Sequence, residues 1–467
     1  MKITIVGAAG GEVTGSAYYV QAKHASILID CGLFQGGKKA EALNRPPTAP
    51  KQRLDAVLLT HGHLDHTGRL PLLAQRGHRP KVFATPATID MTALILRDSA
   101  RIQAGDAERQ NRKRARAGQP PIEPLYSPQY AEEIIQCLQP VPYGKPVRVA
   151  EGIEARFVQA GHMLGSASIQ LSVHEDGREK KVVFSGDLGP KGSVILHNFD
   201  PIQSADLVFL ESTYGDHDHR QFLKTVEEFV GIVKDSVARK GKILIPTFAV
   251  GRAQMLTVLM SWIFRKKHLK PFPVFLDSPM AIEATKLYYK HFLNNPDLFD
   301  ERLLSYIRQK TIRADLKTLK ATATAEQSKQ INDCPGPCLV MAGAGMCNAG
   351  RILHHLKANL WRPETHVIIV GYQAHGSLGR QLVEGEKVVS IHGEKIAVKA
   401  KVHTLGGFSA HAGQTDLLAW FSGLAAANPR VVLTHGEDGP RESLAKLISQ
   451  KYRLKAIMPK MQETIVV

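Results

Sequence analysis

The sequence reads Thr-His-Gly-His-Leu-Asp-His from Thr60 to His66, directly after an apolar run that ends at Leu59. Neutral imidazole and carboxylate oxygen are the ligands that zinc and similar divalent ions prefer. His61 and His63 can point the same way from an extended turn, so that Asp65 and His66 face a second ion. The run therefore predicts a dinuclear metal site. The alternative, a loop of solvated histidines, is uncommon when a buried strand precedes such a dense cluster.

Further candidate ligands follow other apolar runs of the chain. His162 comes after the run that ends at Val158, Asp187 comes after Phe184, and His435 comes after the run Val431 to Leu433. Each histidine alone is as compatible with a hydrogen-bonded turn as with a metal site. Together these residues supply the ligands that the first cluster lacks.

The order of these motifs resembles that of the metallo-β-lactamase superfamily. The motifs are, in order, Asp30-Cys31-Gly32, the histidine run, His162 and Asp187. Three later motifs resemble those that define the β-CASP branch, namely Glu211-Ser212-Thr213-Tyr214-Gly215, Phe408-Ser409-Ala410-His411 and Thr434-His435-Gly436-Glu437. The resemblance spans nearly the whole chain. It is closest to the group that contains the endonuclease subunit of the eukaryotic pre-mRNA 3′-end cleavage factor and its prokaryotic ribonuclease homologues.

The resemblance implies an α/β fold, an αββα sandwich with an inserted Rossmann-like parallel α/β domain, the β-CASP domain. The sequence pattern agrees, since short β-rich runs dominate up to about Glu211 and alternating strands, small-residue turns and helices follow. The predicted domains are 1–214 for the first part of the sandwich, 215–403 for the insertion and 404–467 for the C-terminal part of the sandwich.

The composition favours a polyanionic partner. The 467 residues include 60 Lys and Arg against 43 Asp and Glu, a net charge of +17 with the histidines neutral. Such an excess attracts nucleic acid, although many basic proteins bind none. The segment Arg109 to Arg116 is especially basic. It is either a solvated helical face or a surface that contacts RNA.

The cysteines and the hydropathy pattern predict a cytoplasmic protein of a bacterium or archaeon. The five cysteines are odd in number and lack a framework spacing, which favours reduced thiols. Cys334 and Cys338 form a half-site that no second pair completes. The segment that starts at Met1 is expected to be a strand without the features of a signal peptide, and no apolar run is long enough to span a membrane.

The resemblance also implies a ligand set and catalytic roles. One Zn²⁺ is expected to bind His61, His63 and His162, and a second Asp65, His66 and His435. Asp187 and a hydroxide are expected to bridge the two ions, and Mn²⁺ is an alternative occupant. Asp30 is expected to orient a ligand histidine. The catalytic residues implied are Asp65, His411 as general acid and Glu211, which holds the imidazole of His411.

These expectations describe a zinc-dependent ribonuclease that cuts RNA mainly at internal phosphodiester bonds. Within the branch, a histidine at the position of His435 accompanies members that act on RNA, and a homodimer is compatible with the family. One alternative is a DNA nuclease or another hydrolase on the same scaffold. A second is a non-catalytic RNA-processing scaffold subunit, although such subunits typically lose ligands that this chain keeps.

Overall fold

The computed structural model describes residues 1–49, 52–309, 311–373 and 376–467. The chain forms two compact units, one of Met1–Asp218 with His411–Val467 and the other of His219–Ala410. The predicted boundaries, after residues 214 and 403, lie earlier in the chain. The second one cuts through the strand Lys401–Thr404, which pairs with a strand of the inserted unit and so belongs to that unit.

The first segment is rich in strands. Its strands are β1 (Lys2–Gly7), β2 (Ala17–Gln21), β3 (Ser26–Ile29), β4 (Ala56–Leu58), β5 (Lys81–Ala84), β6 (Leu138–Pro140), β7 (Pro146–Ala150), β8 (Ile153–Gln159), β9 (Ala167–Glu175), β10 (Arg178–Phe184) and β11 (Leu207–Glu211). Its helices are α1 (Lys38–Glu41), α2 (Leu64–Thr67), α3 (Leu70–Gln75), α4 (Pro86–Arg116) and α5 (Pro128–Ile135). Helix α4 begins with a proline after Thr85, whose hydroxyl accepts a hydrogen bond from the Thr88 amide at 3.3 Å.

The inserted segment alternates helices and strands. Its helices are α6 (Phe222–Ala238), α7 (Arg252–Arg265), α8 (Pro279–Asn294), α9 (Glu301–Gln309), α10 (Ile312–Asp315), α11 (Ala325–Asp333), α12 (Ile352–Asn359) and α13 (Leu378–Val383). Its strands are β12 (Lys242–Pro246), β13 (Val274–Asp277), β14 (Leu319–Ala321), β15 (Cys338–Ala342), β16 (His366–Ile369), β17 (Val388–Ile391), β18 (Glu394–Ala397) and β19 (Lys401–Thr404).

The last segment returns to the first unit. It contains α14 (Gln414–Ala425), β20 (Arg430–Thr434), α15 (Asp438–Tyr452), β21 (Ala456–Ile457) and β22 (Thr464–Val466). Strand β20 pairs in parallel with β11, and β22 pairs antiparallel with β1. The last segment therefore adds β22 to one sheet and β20 and β21 to the other of two sheets that the first segment begins. No helix in the described ranges is long and apolar enough to cross a bilayer.

Two seven-stranded sheets form the first unit. Their orders are β22-β1-β2-β3-β4-β5-β6 and β21-β20-β11-β10-β9-β8-β7. One apolar cluster draws on both sheets, with Tyr18 and Ile29 from the first and Phe184 and Phe209 from the second. Because side chains of both sheets share this core, the sheets pack face to face.

Helices cover the outer face of each sheet in the first unit. Leu73 of α3 and Leu96 of α4 pack against the first sheet, and Trp420 of α14 and Leu444 of α15 pack against the second. The parallel strands at the sheet centres, such as β11, are buried on both faces, which explains their continuously apolar sequences. The four layers are the predicted αββα sandwich, and the prediction of the fold class is confirmed.

The inserted unit contains a six-stranded parallel sheet. Its order is β14-β13-β15-β12-β16-β19, and every neighbouring pair is parallel. The central strand β12 is buried along its length. Its Leu244 packs in one cluster with Val340, Val367 and Leu356 of helix α12. This arrangement is the parallel sheet wound with helices that the sequence predicts.

A buried carboxylate organises one edge of the inserted sheet. Asp277, the last residue of β13, is fully buried. Its Oδ1 accepts from the Thr322 hydroxyl and the Arg351 guanidinium, both at 2.7 Å. Its Oδ2 accepts from the Ser328 hydroxyl at 2.6 Å and lies 2.7 Å from His355 Nε2. Burial alone would raise the pKa of Asp277, but these four hydrogen bonds lower it to about 2.

We predict that Asp277→Asn destabilises the inserted unit by roughly 3–5 kcal/mol, because it leaves the half-buried Arg351 guanidinium without its counter-charge and disrupts the other hydrogen bonds to the carboxylate. The folded-state pKa lies below that of an unfolded aspartate. The stabilisation is therefore present at neutral pH and is lost as the pH falls from about 4 to about 2. Thermal unfolding of both proteins across this pH range measures the effect. The exposed Asp297, changed to Asn, is the matched control. Equal melting temperatures at neutral pH would contradict the prediction.

Candidate dinuclear metal centre

The predicted ligands lie where strands of the sandwich end. His61 follows β4, His162 follows β8, Asp187 follows β10 and His435 follows β20. Helix α2 supplies the others, since His63 is its N-cap and Asp65 and His66 lie within its single turn. Because these strands end at the same edge of the unit, residues far apart in sequence meet there.

A glycine of the Asp30-Cys31-Gly32 motif allows helix α2 to approach this edge. A Cβ at Gly32 would lie only 1.5 Å from the Asp65 carbonyl oxygen. The Cys31 amide donates to the His66 carbonyl at 2.7 Å. The motif therefore fixes the helix that contributes Asp65 and His66.

The predicted ligands form two groups of donor atoms, each with its atoms within 4.8 Å of one another, and Asp187, Glu211 and His411 form a third group of the same kind. In the first group, His63 Nδ1 lies 3.2 Å from His61 Nε2 and 3.1 Å from His162 Nε2. In the second, His435 Nε2 lies 3.2 Å from His66 Nε2 and 3.7 Å from Asp65 Oδ2. The structure thus brings together all the residues that the sequence predicts as ligands.

Asp187 lies between the two groups. Its Oδ2 is 3.5 Å from His61 Nε2 and 3.6 Å from His162 Nε2. Its Oδ1 is 3.3 Å from His66 Nε2 and 3.5 Å from His435 Nε2. The carboxylate is 2% exposed, and Oδ1 has no hydrogen-bond partner among the described residues. A buried carboxylate oxygen without a donor is costly, and a cation would compensate for it.

Hydrogen bonds outside the two groups fix how the imidazoles present their nitrogens. His66 Nδ1 lies 2.7 Å from Asp30 Oδ2, so it donates to that carboxylate. The Thr213 hydroxyl donates to the His435 carbonyl at 3.2 Å and can accept from His435 Nδ1, also at 3.2 Å. Both rings then direct an Nε2 lone pair inward. This orientation of a ligand histidine by an outer partner is typical of metal sites.

The donor set fits a pair of divalent cations. The Nε2 atoms of His66 and His435 lie 3.2 Å apart, a contact that is favourable only with a proton or a metal cation between the two nitrogens. Tetrahedral zinc with nitrogen ligands at about 2.05 Å separates those nitrogens by about 3.3 Å. The spacing within both histidine groups is close to this value. Two nitrogen-rich groups that share one carboxylate are therefore suited to two ions.

The protonation of the histidines follows from burial and from the nearby carboxylates. Burial lowers the pKa of His61 well below its usual value and that of His63 to about 4, so both rings are neutral, as metal ligands must be. Burial also disfavours the cationic form of His66. The carboxylates of Asp187 and Asp30 outweigh this effect and raise the pKa of His66 well above its usual value. The centre therefore attracts positive charge.

Glu211 and His411 lie beside the first group. Glu211 ends β11, and its Oε1 accepts from the Leu188 amide at 2.8 Å and lies 3.4 Å from His411 Nδ1. His411 Nε2 is 3.9 Å from Asp187 Oδ2. Burial opposes protonation of His411, but the charge of Glu211 and its hydrogen bond outweigh it and raise the pKa of His411 to about 9. A protonated imidazole next to the donor groups is suited to proton donation.

Sequence reasoning missed two threonines of the centre. The Thr60 hydroxyl donates to Asp30 Oδ2 at 2.8 Å and lies 3.1 Å from His61 Nδ1. Thr213 holds His435, as described above. Both lie inside motifs that the sequence shows, since Thr60 precedes His61 and Thr213 lies two residues after Glu211, but their contacts with other segments depend on the fold.

The basic segment contributes no residue to the donor groups. It forms the carboxyl end of α4, where Arg112, Lys113 and Arg116 are exposed. Asn111 exchanges two hydrogen bonds of 2.8 Å with the backbone of Ile122. These bonds fix the loop that follows α4 against the end of the helix.

The sandwich fold and the shared-carboxylate centre define the metallo-β-lactamase class. Sequence models of known families match the chain in three ranges. The metallo-beta-lactamase superfamily matches residues 10–231, the Beta-Casp domain 253–382 and the Zn-dependent metallo-hydrolase RNA specificity domain 395–459.

Related proteins match over most of the chain. Ribonuclease TTHA0252 of Thermus thermophilus is 40% identical over 455 residues, which cover 96% of each chain. The transcription termination factor FttA of Methanosarcina mazei is 30% identical over 97% of this chain and 70% of its own. A crystal structure of a protein of unknown function from Enterococcus faecalis shares the fold, with a TM-score of 0.53 and 14% identity over 100% of this chain and 99% of that one. The chain belongs to the β-CASP branch of the metallo-β-lactamase superfamily.

We predict that His63→Ala lowers the content of bound divalent metal by about one ion per chain, because a three-histidine group loses a donor. Elemental analysis of the purified protein measures the loss. His24→Ala replaces an exposed histidine and serves as the control. A His63→Ala protein with undiminished metal content would exclude His63 as a ligand.

Proposed function

We propose that the chain is a metal-dependent ribonuclease that hydrolyses phosphodiester bonds, mainly within RNA. The observation that supports this most strongly is the centre in which Asp187 faces two donor groups beside the pair of His411 and Glu211. The similarity to a protein named as a ribonuclease covers 96% of both chains. The RNA specificity model matches residues 395–459, a range that includes His411 and His435.

We assign one zinc ion to the first donor group and a second to the other, with Asp187 shared. The ligands would be His61, His63 and His162 for one ion and Asp65, His66 and His435 for the other. When bound, the two cations would supply a water of lowered pKa as nucleophile and would neutralise charge on the phosphate. Manganese is an alternative occupant of the same donors. A homodimer and a cytoplasmic location stay predictions.

The protein side chains then orient groups and move a proton. Asp30 holds His66 in one tautomer, and Thr213 does the same for His435. His411 Nε2–H would donate its proton to the 3′ oxygen as the bond from that oxygen to phosphorus breaks. Glu211 accepts a hydrogen bond from Nδ1 of His411 and stabilises its protonated form. The products would be a 3′-hydroxyl end and a 5′-phosphate end.

The alternatives fit the centre less well. A non-catalytic scaffold subunit has no need for the ligand set, yet all seven donors converge here and a histidine paired with a carboxylate lies beside them. A DNA nuclease or another hydrolase would use the same centre. The match to an RNA specificity model favours RNA over DNA and over the substrates of other hydrolases.

We predict that the metal-replete protein cuts both circular and linear single-stranded RNA, and that His411→Ala lowers the cleavage rate by about 10²–10⁴-fold because the leaving oxygen loses its acid. Gel analysis of labelled products measures both effects. Circular RNA tests internal cutting directly, since it has no end. A single-stranded DNA circle and a chromogenic ester test the other hydrolase functions.

Two controls make this result decisive. The metal content of His411→Ala must equal that of the parent protein, and His24→Ala must cleave at the parental rate. Cleavage of DNA in preference to RNA would replace the proposed substrate. Undiminished RNA cleavage by metal-replete His411→Ala would remove His411 from the mechanism.

We predict that replacing Arg112, Lys113 and Arg116 together with Ala weakens RNA binding and lowers the slope of its salt dependence by up to about 2, because each cation that contacts a phosphate releases counterions. Arg114 is left unchanged, since its Nε donates to the Pro120 carbonyl at 2.6 Å and so stabilises the loop that follows α4. Fluorescence anisotropy at several salt concentrations measures the slope.

The matched control is a triple alanine variant at Lys266, Lys267 and Lys270, an exposed basic run of the inserted unit. Both variants remove three charges from the protein. If the two variants weaken RNA binding equally, the effect is one of net charge and the segment at the end of α4 is only a solvated face.

A further inference from the structure

The carboxyl edge of the inserted sheet presents an aromatic ring to solvent. Phe248 lies two residues after β12, and 42% of it is exposed, whereas β12 itself is buried throughout. Two other aromatic residues of the described ranges are as exposed. Tyr289 lies on α8, and the ring of Trp361 lies beneath the Arg362 guanidinium at 4.8 Å. Neither follows a strand of the sheet at its carboxyl end.

The ring occupies the position at which parallel sheets bind ligands. Strand β12 lies between β15 and β16. The chain leaves β12 for β13 on one side and later crosses from β15 to β16 on the other. Ligands of open parallel sheets bind outside the carboxyl ends of the strands where the strand order reverses in this way.

Two glycines make room for the ring. Gly345 lies in the turn after β15, and a Cβ there would lie 2.7 Å from Cδ2 of Phe248. Gly371 lies in the turn after β16, and a Cβ there would lie 3.6 Å from Cε2 of Phe248. The ring therefore lies against two backbone turns, and its exposed part is open to a flat partner.

A buried amide holds these turns in place. Gln373 is 6% exposed, and its Nε2 donates to the carbonyls of Gly345 and Gly371 at 3.1 Å and of Tyr372 at 2.9 Å. The backbone on which the ring lies is thus fixed before any ligand arrives. A fixed aromatic surface loses little conformational entropy on binding.

We propose that Phe248 is a stacking platform for an unpaired nucleobase of the RNA substrate. This inference rests on the proposed ribonuclease function and adds a subsite to it. Every nucleobase has a flat π face, so stacking on an aromatic side chain tolerates any sequence and requires a single-stranded segment. The net charge of +17 supplies the attraction for the backbone that the ring lacks.

The test measures the affinity of a short fluorescent single-stranded RNA for His411→Ala protein, which keeps the substrate intact. Adding Phe248→Leu, which keeps apolar volume but removes the π face, should weaken binding about tenfold. Adding Phe248→Trp should leave the affinity within about twofold. Tyr289→Leu, which removes an exposed ring from α8, should have no effect. An RNA of abasic nucleotides should bind equally well to the His411→Ala protein with and without Phe248→Leu, because it offers no base to stack.

Each of the following results would contradict the proposal that a base stacks on Phe248. Unchanged affinity in Phe248→Leu, or an equal loss on abasic RNA, would show that no base stacks on the ring. A changed molecular mass of Phe248→Leu in solution would assign the ring to a contact between copies of the chain. If the parent protein neither binds nor cleaves RNA, the proposed function fails as well, and this is visible before Phe248 is altered.

Discussion

The first unit depends on one buried carboxylate, that of Asp187. Its two oxygens face different sets of imidazole nitrogens, and the burial that would normally raise its pKa is outweighed by attraction to the surrounding imidazoles, which holds that pKa well below its usual value. An aspartate in such a place is unstable without positive charge around it. The strands of the sandwich converge so that several histidines provide that surrounding, and divalent cations would complete it.

How much of this centre can be predicted depends on how close together its ligand residues lie in the sequence. His61, His63, Asp65 and His66 lie within one turn and one short helix, so their spacing alone indicates a metal site. His162, Asp187 and His435 are single residues after apolar runs, so that this shared position and the family resemblance are all that joins them. The two oxygens of Asp187 face different donor groups because of the fold, and no local sequence pattern indicates this arrangement.

The contacts that the sequence could not predict are long-range or conformational. Thr213 reaches His435 across 222 positions of the chain. Asp30 and His435 adopt left-handed backbone conformations, with φ of 56° and 53°, in which most side chains are disfavoured. The predicted end of the insertion precedes the structural one because β19 resembles any short strand, and its partner β16 lies far before it in the chain. The sandwich and the wound parallel sheet, in contrast, follow from the periodicity of the apolar residues.

The interrupted arrangement of the first unit has a consequence for protein synthesis. The donors from His61 to Asp187 leave the ribosome early, whereas His435 is translated only after the entire inserted unit. A nascent chain therefore cannot complete its second donor group while the messenger RNA that encodes it is still being read through that insertion. The order of residues along the chain therefore delays assembly of the second donor group until the whole insertion has been translated.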